Sequence, residues 1–191
     1  IYMKWNNFNN LETLKVDFNE KEDILTFYTD NEKAIVKIKD NDIESVEYTH
    51  NDISHIVKKD ERKYLKIGES NFKRDVYHYL TPGSFAHHMR LGITKHVGKG
   101  TWSSLPHDFE LNTEPGFEEV FFYLINGGSE RAIQVGKGVW CDNSSVDGAW
   151  IVKDRTTSVV PMGYHPVAAE PNVHVSYIWV YLCKKTQWEK I

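Results

Sequence analysis

Residues 120–141 read VFFYLINGGSERAIQVGKGVWC. An unbroken run of β-branched, aromatic and aliphatic residues, Val120–Ile125, passes into Gly127-Gly128. A second run, Arg131–Val135, precedes Gly136-Lys137-Gly138, and a third, Val139–Cys141, follows it. Side chains of this kind suit a pleated surface. Glycine turns corners because it reaches positive φ without steric cost. The stretch predicts short strands joined at glycine corners.

The same texture extends on both sides. Met89–Thr94, Ala149–Val152, Ser158–Val160 and Val173–Leu182 are predicted strands, and Gly98-Lys99-Gly100 is a further corner. The first third carries shorter runs, Ile24–Tyr28, Lys33–Ile38, Ile43–Tyr48 and Tyr64–Ile67, punctuated by Asp30-Asn31 and Asp40-Asn41-Asp42. Asn and Asp tolerate turn conformations that β-branched residues resist. The texture changes near Asn71, so residues 1–70 are read as an N-terminal β-rich region and 71–191 as the domain carrying the site. Many short strands at even spacing predict an all-β sandwich or barrel.

Composition narrows the function classes. In 191 residues, 40% hydrophobic content supports a packed core, and 13% aromatic content suits strands. The formal net charge of -4, with Lys and Arg scattered, argues against nucleic acid as partner, because phosphate binding needs a concentrated basic surface. Two cysteines, Cys141 and Cys183, do not make a disulfide scaffold. No apolar run reaches the ~18 residues of a bilayer span, and no charged-then-apolar leader is present. No membrane association and a cytoplasmic location are the expectation.

Three segments hold residues with chemical potential. One is Gly100–Glu110, with Trp102-Ser103-Ser104-Leu105-Pro106-His107-Asp108. The second is Gly116–Tyr123, where Glu118-Glu119 enters an aromatic strand. The third is Val160–Val167, containing Gly163-Tyr164-His165-Pro166. Barrel closure would bring a His, a carboxylate and a second His together from three strands. Imidazoles and a carboxylate suit a borderline divalent ion, Zn, Mn, Fe or Ni. Adjacent Glu118 and Glu119 must face opposite ways on a strand, so only one can reach such a centre. His87 and His88 are subject to the same rule. Trp102 reads as a barrel plug, and Lys137 as a group that could point at a substrate carboxylate. Neither Gly-Lys-Gly turn matches a phosphate loop.

From Arg74 to Leu182 the chain resembles the 5-deoxy-glucuronate isomerase family, which includes the 4-deoxy-5-hexosulose-uronate ketol-isomerases. The matching pieces are Trp102-Ser103-Ser104, His107-Asp108, Glu118-Glu119 before an aromatic strand, and Gly163-Tyr164-His165-Pro166-Val167, with Arg74-Asp75-Val76 and Arg90-Leu91 in support. The resemblance implies a cupin, a double-stranded β-helix barrel, in the C-terminal two-thirds, preceded by a reduced N-terminal sheet in place of a full first cupin. It implies a metal held by His107, Glu119 and His165, with Zn the first choice and Mn, Fe or Ni the alternatives. The family's additional His, which precedes the one matched by His107, has no counterpart, because a short deletion follows Pro106. Asp108, Glu110, His88 or His96 are the groups available to fill that place.

The activity implied is interconversion of aldose and ketose forms of a sugar acid of uronate or deoxy-uronate type. Tyr164, Tyr123 or the metal-side Glu would assist proton transfer. Two alternatives stand beside it: a cupin that binds a sugar acid without turnover, and a metal-dependent oxygenase using two His and one carboxylate. A homodimer through edge strands is expected by analogy.

Overall fold

The computed structural model describes residues 5–6, 11–103 and 118–183. The described residues form sixteen strands: β1 Trp5–Asn6, β2 Lys15–Asn19, β3 Ile24–Tyr28, β4 Glu32–Lys39, β5 Asp42–His50, β6 Ile53–Lys58, β7 Lys63–Ile67, β8 Arg74–Leu80, β9 Met89–His96, β10 Glu119–Asn126, β11 Arg131–Val139, β12 Ser145–Lys153, β13 Thr157–Val160, β14 Met162–Tyr164, β15 Val167–Ala169 and β16 His174–Leu182. Three sheets result. Strands β2 to β6 form a five-stranded meander, and a seven-stranded sheet runs β1-β13-β10-β16-β9-β8-β7. In the third, β12 and β11 pair, and β11 continues onto β14 and β15. The one parallel pairing among the named strands is β1 with β13.

The seven-stranded sheet is the middle layer, and its strand alternation shows it. Val120, Phe122 and Leu124 of β10, with Ile178 and Val180 of β16 and Leu91 and Ile93 of β9, pack toward the meander. Phe18 of β2 meets Phe122 with ring centroids 4.7 Å apart. The alternate residues, Phe121, Tyr123 and Ile125 of β10 with Val175, Tyr177 and Trp179 of β16, face the third sheet. Strands buried on both faces read as continuous apolar runs rather than alternating ones. That is why Val120–Ile125 is an unbroken run of aliphatic and aromatic residues. Each such side chain contributes about 1.5–3 kcal/mol on full burial.

Two buried carboxylates fasten the meander to the middle sheet. Glu32 accepts the Tyr48 hydroxyl at 2.6 Å and the amides of His88 and Met89 at 3.1 Å. Asp42 pairs with Arg62 at 3.1 Å and with Lys59 and Lys95 at 2.7 Å. The three cations hold its carboxyl below the usual range, against the opposing effect of its own burial.

Several predicted features shift. β7 pairs with β8, so the chain changes sheet between Lys58 and Lys63. Strands β1, β2, β6, β8, β14 and β15 lie outside the runs expected from sequence. The Gly136-Lys137-Gly138 corner is not a corner. β11 runs unbroken through it, and neither glycine has positive φ. The glycines are there for space. A Cβ on Gly136 would lie 2.8 Å from the Trp150 ring, and one on Gly138 would run into the Met162 carbonyl of β14. At Gly98, Gly100, Gly127 and Gly128, φ is positive as the turns require, and so it is at Asp40 and Asn41. His87 and His88 do not lie on a strand. They occupy a bend before β9, where their rings stack 3.8 Å apart.

Candidate metal-ligand pair at one end of the barrel

The middle sheet and the third sheet enclose the barrel interior. Ladder register sorts its inward residues into rows. Glu119 stands opposite Tyr181, which stands opposite Arg90. One row deeper are Phe121, Trp179 and Gly92, and then Tyr123, Tyr177 and Thr94. The last row holds Ile125, Val175 and His96. Glu119 therefore marks one end of the barrel and His96 the other, six residues or about 20 Å apart along the strands.

Glu118 and Glu119 part as strand alternation demands. Glu118 faces away from the barrel and accepts the amides of Glu12, Thr13 and Leu14, the last at 3.1 Å. Glu119 is 6% exposed, and its Oε2 lies 3.2 Å from His165 Nε2. Burial pushes its carboxyl up to about 8, since the charged form loses its hydration.

His165 arrives from the third sheet. Register there pairs Lys137 with Tyr164 and Gln134 with Val167, which puts Gly136 opposite His165. Residues opposite one another in a ladder share a face. Ala132 and Gln134 are buried on the inner face while Lys137 is exposed, so Tyr164 lies outward with Lys137, and His165 lies inward. The Phe121 ring meets the imidazole edge-on at 5.6 Å.

The structure thus brings together two of the sequence-predicted residues, Glu119 and His165. His107 lies outside the described residues, as do Asp108 and Glu110. Tyr164 is turned to the other face of its strand. Tyr123 is four residues beyond Glu119, about 13 Å along the strand, and donates its hydroxyl to Gln134 Oε1 at 2.6 Å. Burial raises that hydroxyl well above its ordinary range. Lys137 points away from the interior, which removes it as a reader of bound carboxylates. Of the remaining gap-fillers, His96 is at the wrong end, and its Nδ1 meets the Thr101 carbonyl at 3.0 Å. His88 is at the Glu119 end, where its carbonyl accepts the Cys183 amide at 2.8 Å. Among the described residues, no group of three His, Cys, Asp or Glu is close enough to hold a metal.

Sequence reasoning missed the wall around the pair. Trp179 lies over Gly92, where a Cβ would collide with the indole, and donates Nε1–H to Thr94 Oγ1 at 3.1 Å. Tyr181 stacks on Trp179 at 5.9 Å, Phe121 stacks on Tyr177 at 4.4 Å, and His78 meets Trp179 edge-on at 5.2 Å. The signal was present as period-two spacing of aromatics in Val173–Leu182, but nothing local tells which face of a doubly buried strand looks inward.

These features define an all-β protein of the cupin class, with a carboxylate and an imidazole meeting at one end of its barrel. Within that class the chain belongs to the KduI/IolB family, whose model matches residues 7–191. It is 32% identical over 126 residues to a 5-deoxy-glucuronate isomerase of Geobacillus kaustophilus, a match covering 64% of this chain and 44% of that protein. A 5-deoxy-glucuronate isomerase of Halalkalibacterium halodurans is 26% identical over 138 residues, 70% of this chain and 50% of that one. The chain spans about half the length of the curated relatives it matches. An IolB-like protein from Salmonella typhimurium LT2 superimposes with a TM-score of 0.61 at 18% identity, covering 93% of this chain and 73% of that one. The fold is shared.

Proposed function

We propose that this protein is a metal-dependent isomerase that interconverts the aldose and ketose forms of a uronate or deoxy-uronate. The observation that carries the reading is the meeting of Glu119 and His165 at 3.2 Å, in a chain whose relatives are 5-deoxy-glucuronate isomerases. Two ligands on a tetrahedral zinc, at bond lengths of about 2.0–2.2 Å, stand about 3.3–3.5 Å apart. The Glu119–His165 separation is close to that. A buried carboxyl raised to about 8 is also a group whose charged form a bound cation would stabilise.

Glu119 and His165 would hold the ion with His107. Zn is the first expectation, and Mn, Fe and Ni are compatible with the same donors. When bound, the ion supplies Lewis-acid polarisation of the sugar's carbonyl and neighbouring hydroxyl oxygens. The isomerisation removes a proton from the carbon beside the carbonyl, passes through an enediol(ate), and returns a proton to the former carbonyl carbon, while the neighbouring hydroxyl's proton passes to the former carbonyl oxygen. The chain's own part is to exclude water and orient the sugar. Phe121, Trp179 and Tyr181 present the apolar surface that does so. Tyr123, committed to Gln134, has a structural role in this reading, and Tyr164→Phe is expected to leave turnover intact.

A sugar-acid-binding cupin without turnover is the second reading. It is favoured by the sequence lacking a counterpart of the family's additional His. Elemental mass spectrometry of protein purified without tag or chelator, beside His165→Ala, addresses the metal. NMR of uronate and deoxy-uronate aldoses then addresses turnover. Near-stoichiometric metal lost in the variant, with conversion of at least one aldose, supports the isomerase. Binding with no conversion by the metal-loaded protein supports the second reading. Oxygen uptake with iron and none with zinc would point instead to an oxygenase.

A further inference from the structure

Gln134 is fully buried on the inner face of β11, with Ala132 and Gly136 as the flanking inward residues. A primary amide in such a place costs stability unless its donors and acceptor are matched. Here they are. Oε1 accepts the Tyr123 hydroxyl at 2.6 Å. Nε2 donates toward the carbonyls of His165 at 2.8 Å, Val135 at 3.0 Å and Pro166 at 3.2 Å.

The reason for an amide at this position lies across the ladder. β14 ends at Tyr164 and β15 begins at Val167, both paired with β11, so the pairing lapses at His165 and Pro166. Pro166 has no N–H to donate. The Val135 amide still reaches the Pro166 carbonyl at 2.9 Å, and the His165 carbonyl is buried, where a hydrogen-bond donor is needed. Gln134 reaches back from one register step away and supplies a donor. At the break in the ladder, the Gln134 side chain ties the His165 backbone to β11.

We propose that Gln134, locked by Tyr123, is the positioning residue that holds His165 in line with Glu119. The assignment rests on the metal-site reading above only for its consequence, the affinity of the pair for an ion. The geometric part stands without a metal. Groups that orient metal-ligating side chains typically change affinity about 10–100-fold when removed.

The test uses the full chain, metal-free, with 15N-labelled histidine, and the His165 ring signals assigned by their loss in His165→Asn. Tyr123→Phe removes one hydroxyl at constant volume, and Gln134→Met removes the amide at similar length. With native-like melting retained, each variant should shift or broaden the His165 ring signals while those of His50 and His55, on the meander, stay in place. Zinc affinity, measured by competition with a chromogenic chelator, should weaken about 10-fold or more. Unchanged His165 signals in Tyr123→Phe would overturn the proposal. Perturbed signals in a protein that binds no zinc even as wild type would leave the positioning role standing and sink the metal-site reading instead.

Discussion

Glu118 and Glu119 are neighbours in the chain that face opposite sides of β10. Glu118 gathers the amides of Thr13 and Leu14 outside the barrel, and Glu119 turns its Oε2 to His165 Nε2 inside it. One carboxylate holds a segment of the chain, and the other meets an imidazole across the barrel.

The two glutamates should therefore separate cleanly on mutation. Glu118→Gln is expected to cost about 1.5–3 kcal/mol in urea denaturation, the range for hydrogen bonds to a charged group, with metal content unchanged. Glu119→Gln is expected to abolish metal content. If Glu118→Gln alone lost the metal, the assignment of the two roles would be reversed.

Glu119 should also set an alkaline limb in the stability of the metal-free protein. Its carboxyl lies near 8 in the fold, against an ordinary value of 4.5. Between those values the folded state holds the proton more tightly than the unfolded state, so stability falls as pH rises. Glu119→Gln cannot ionise. Its urea midpoint should exceed wild type at about pH 9, with the gap narrowing toward pH 5. A constant gap across that range would refute the shift.

The acid limb belongs to buried histidines. Desolvation lowers His78 to about 4 and His96 to about 3, from 6.5. Both are neutral in the fold and take up protons on unfolding, so the unfolded state binds more protons below pH 6.5, and stability falls as pH drops through that range. Replacing either with Gln should flatten the dependence of the urea midpoint between pH 6.5 and 4. An unaltered slope in both variants would mean that neither imidazole is neutral in the fold.

Gly138 and Gly148 test the close approach of β11 to β14. Gly138→Ala places a methyl group against the Met162 carbonyl, three residues before His165. A loss of about 1–3 kcal/mol is expected from overpacking, together with weakened metal retention. Gly148→Ala meets nothing within 4 Å and should stay within about 0.5 kcal/mol of wild type. Thermal melts of the two variants give the comparison, and equal melting would show that β14 can move away freely.

Much of the fold was legible from local chemistry. Ile24–Tyr28 matches β3 residue for residue, and the positive φ at Asp40, Asn41, Gly127 and Gly128 is where the turn residues put it. The opposite orientations of Glu118 and Glu119 followed from alternation alone. The failures have two causes. Gly136-Lys137-Gly138 has the composition of a corner, yet it is a strand made lean so that Trp150 and Met162 can come close. β6 is an edge strand with mostly exposed positions, so hydrophobic patterning marks it faintly.

The sequence by itself determined that this chain is all-β, where most of its strands and turns fall, and that Glu119 and His165 come from segments resembling a sugar-acid isomerase family. These are consequences of backbone preferences and side-chain alternation, which act over a few residues. Only the tertiary structure decided that Tyr164 faces outward, that His96 lies at the opposite end from Glu119, and that Gln134 holds the His165 carbonyl. Each of those depends on ladder register between strands remote in sequence. A shift of one residue in register exchanges the two faces of a strand, and register is settled by how whole sheets pack.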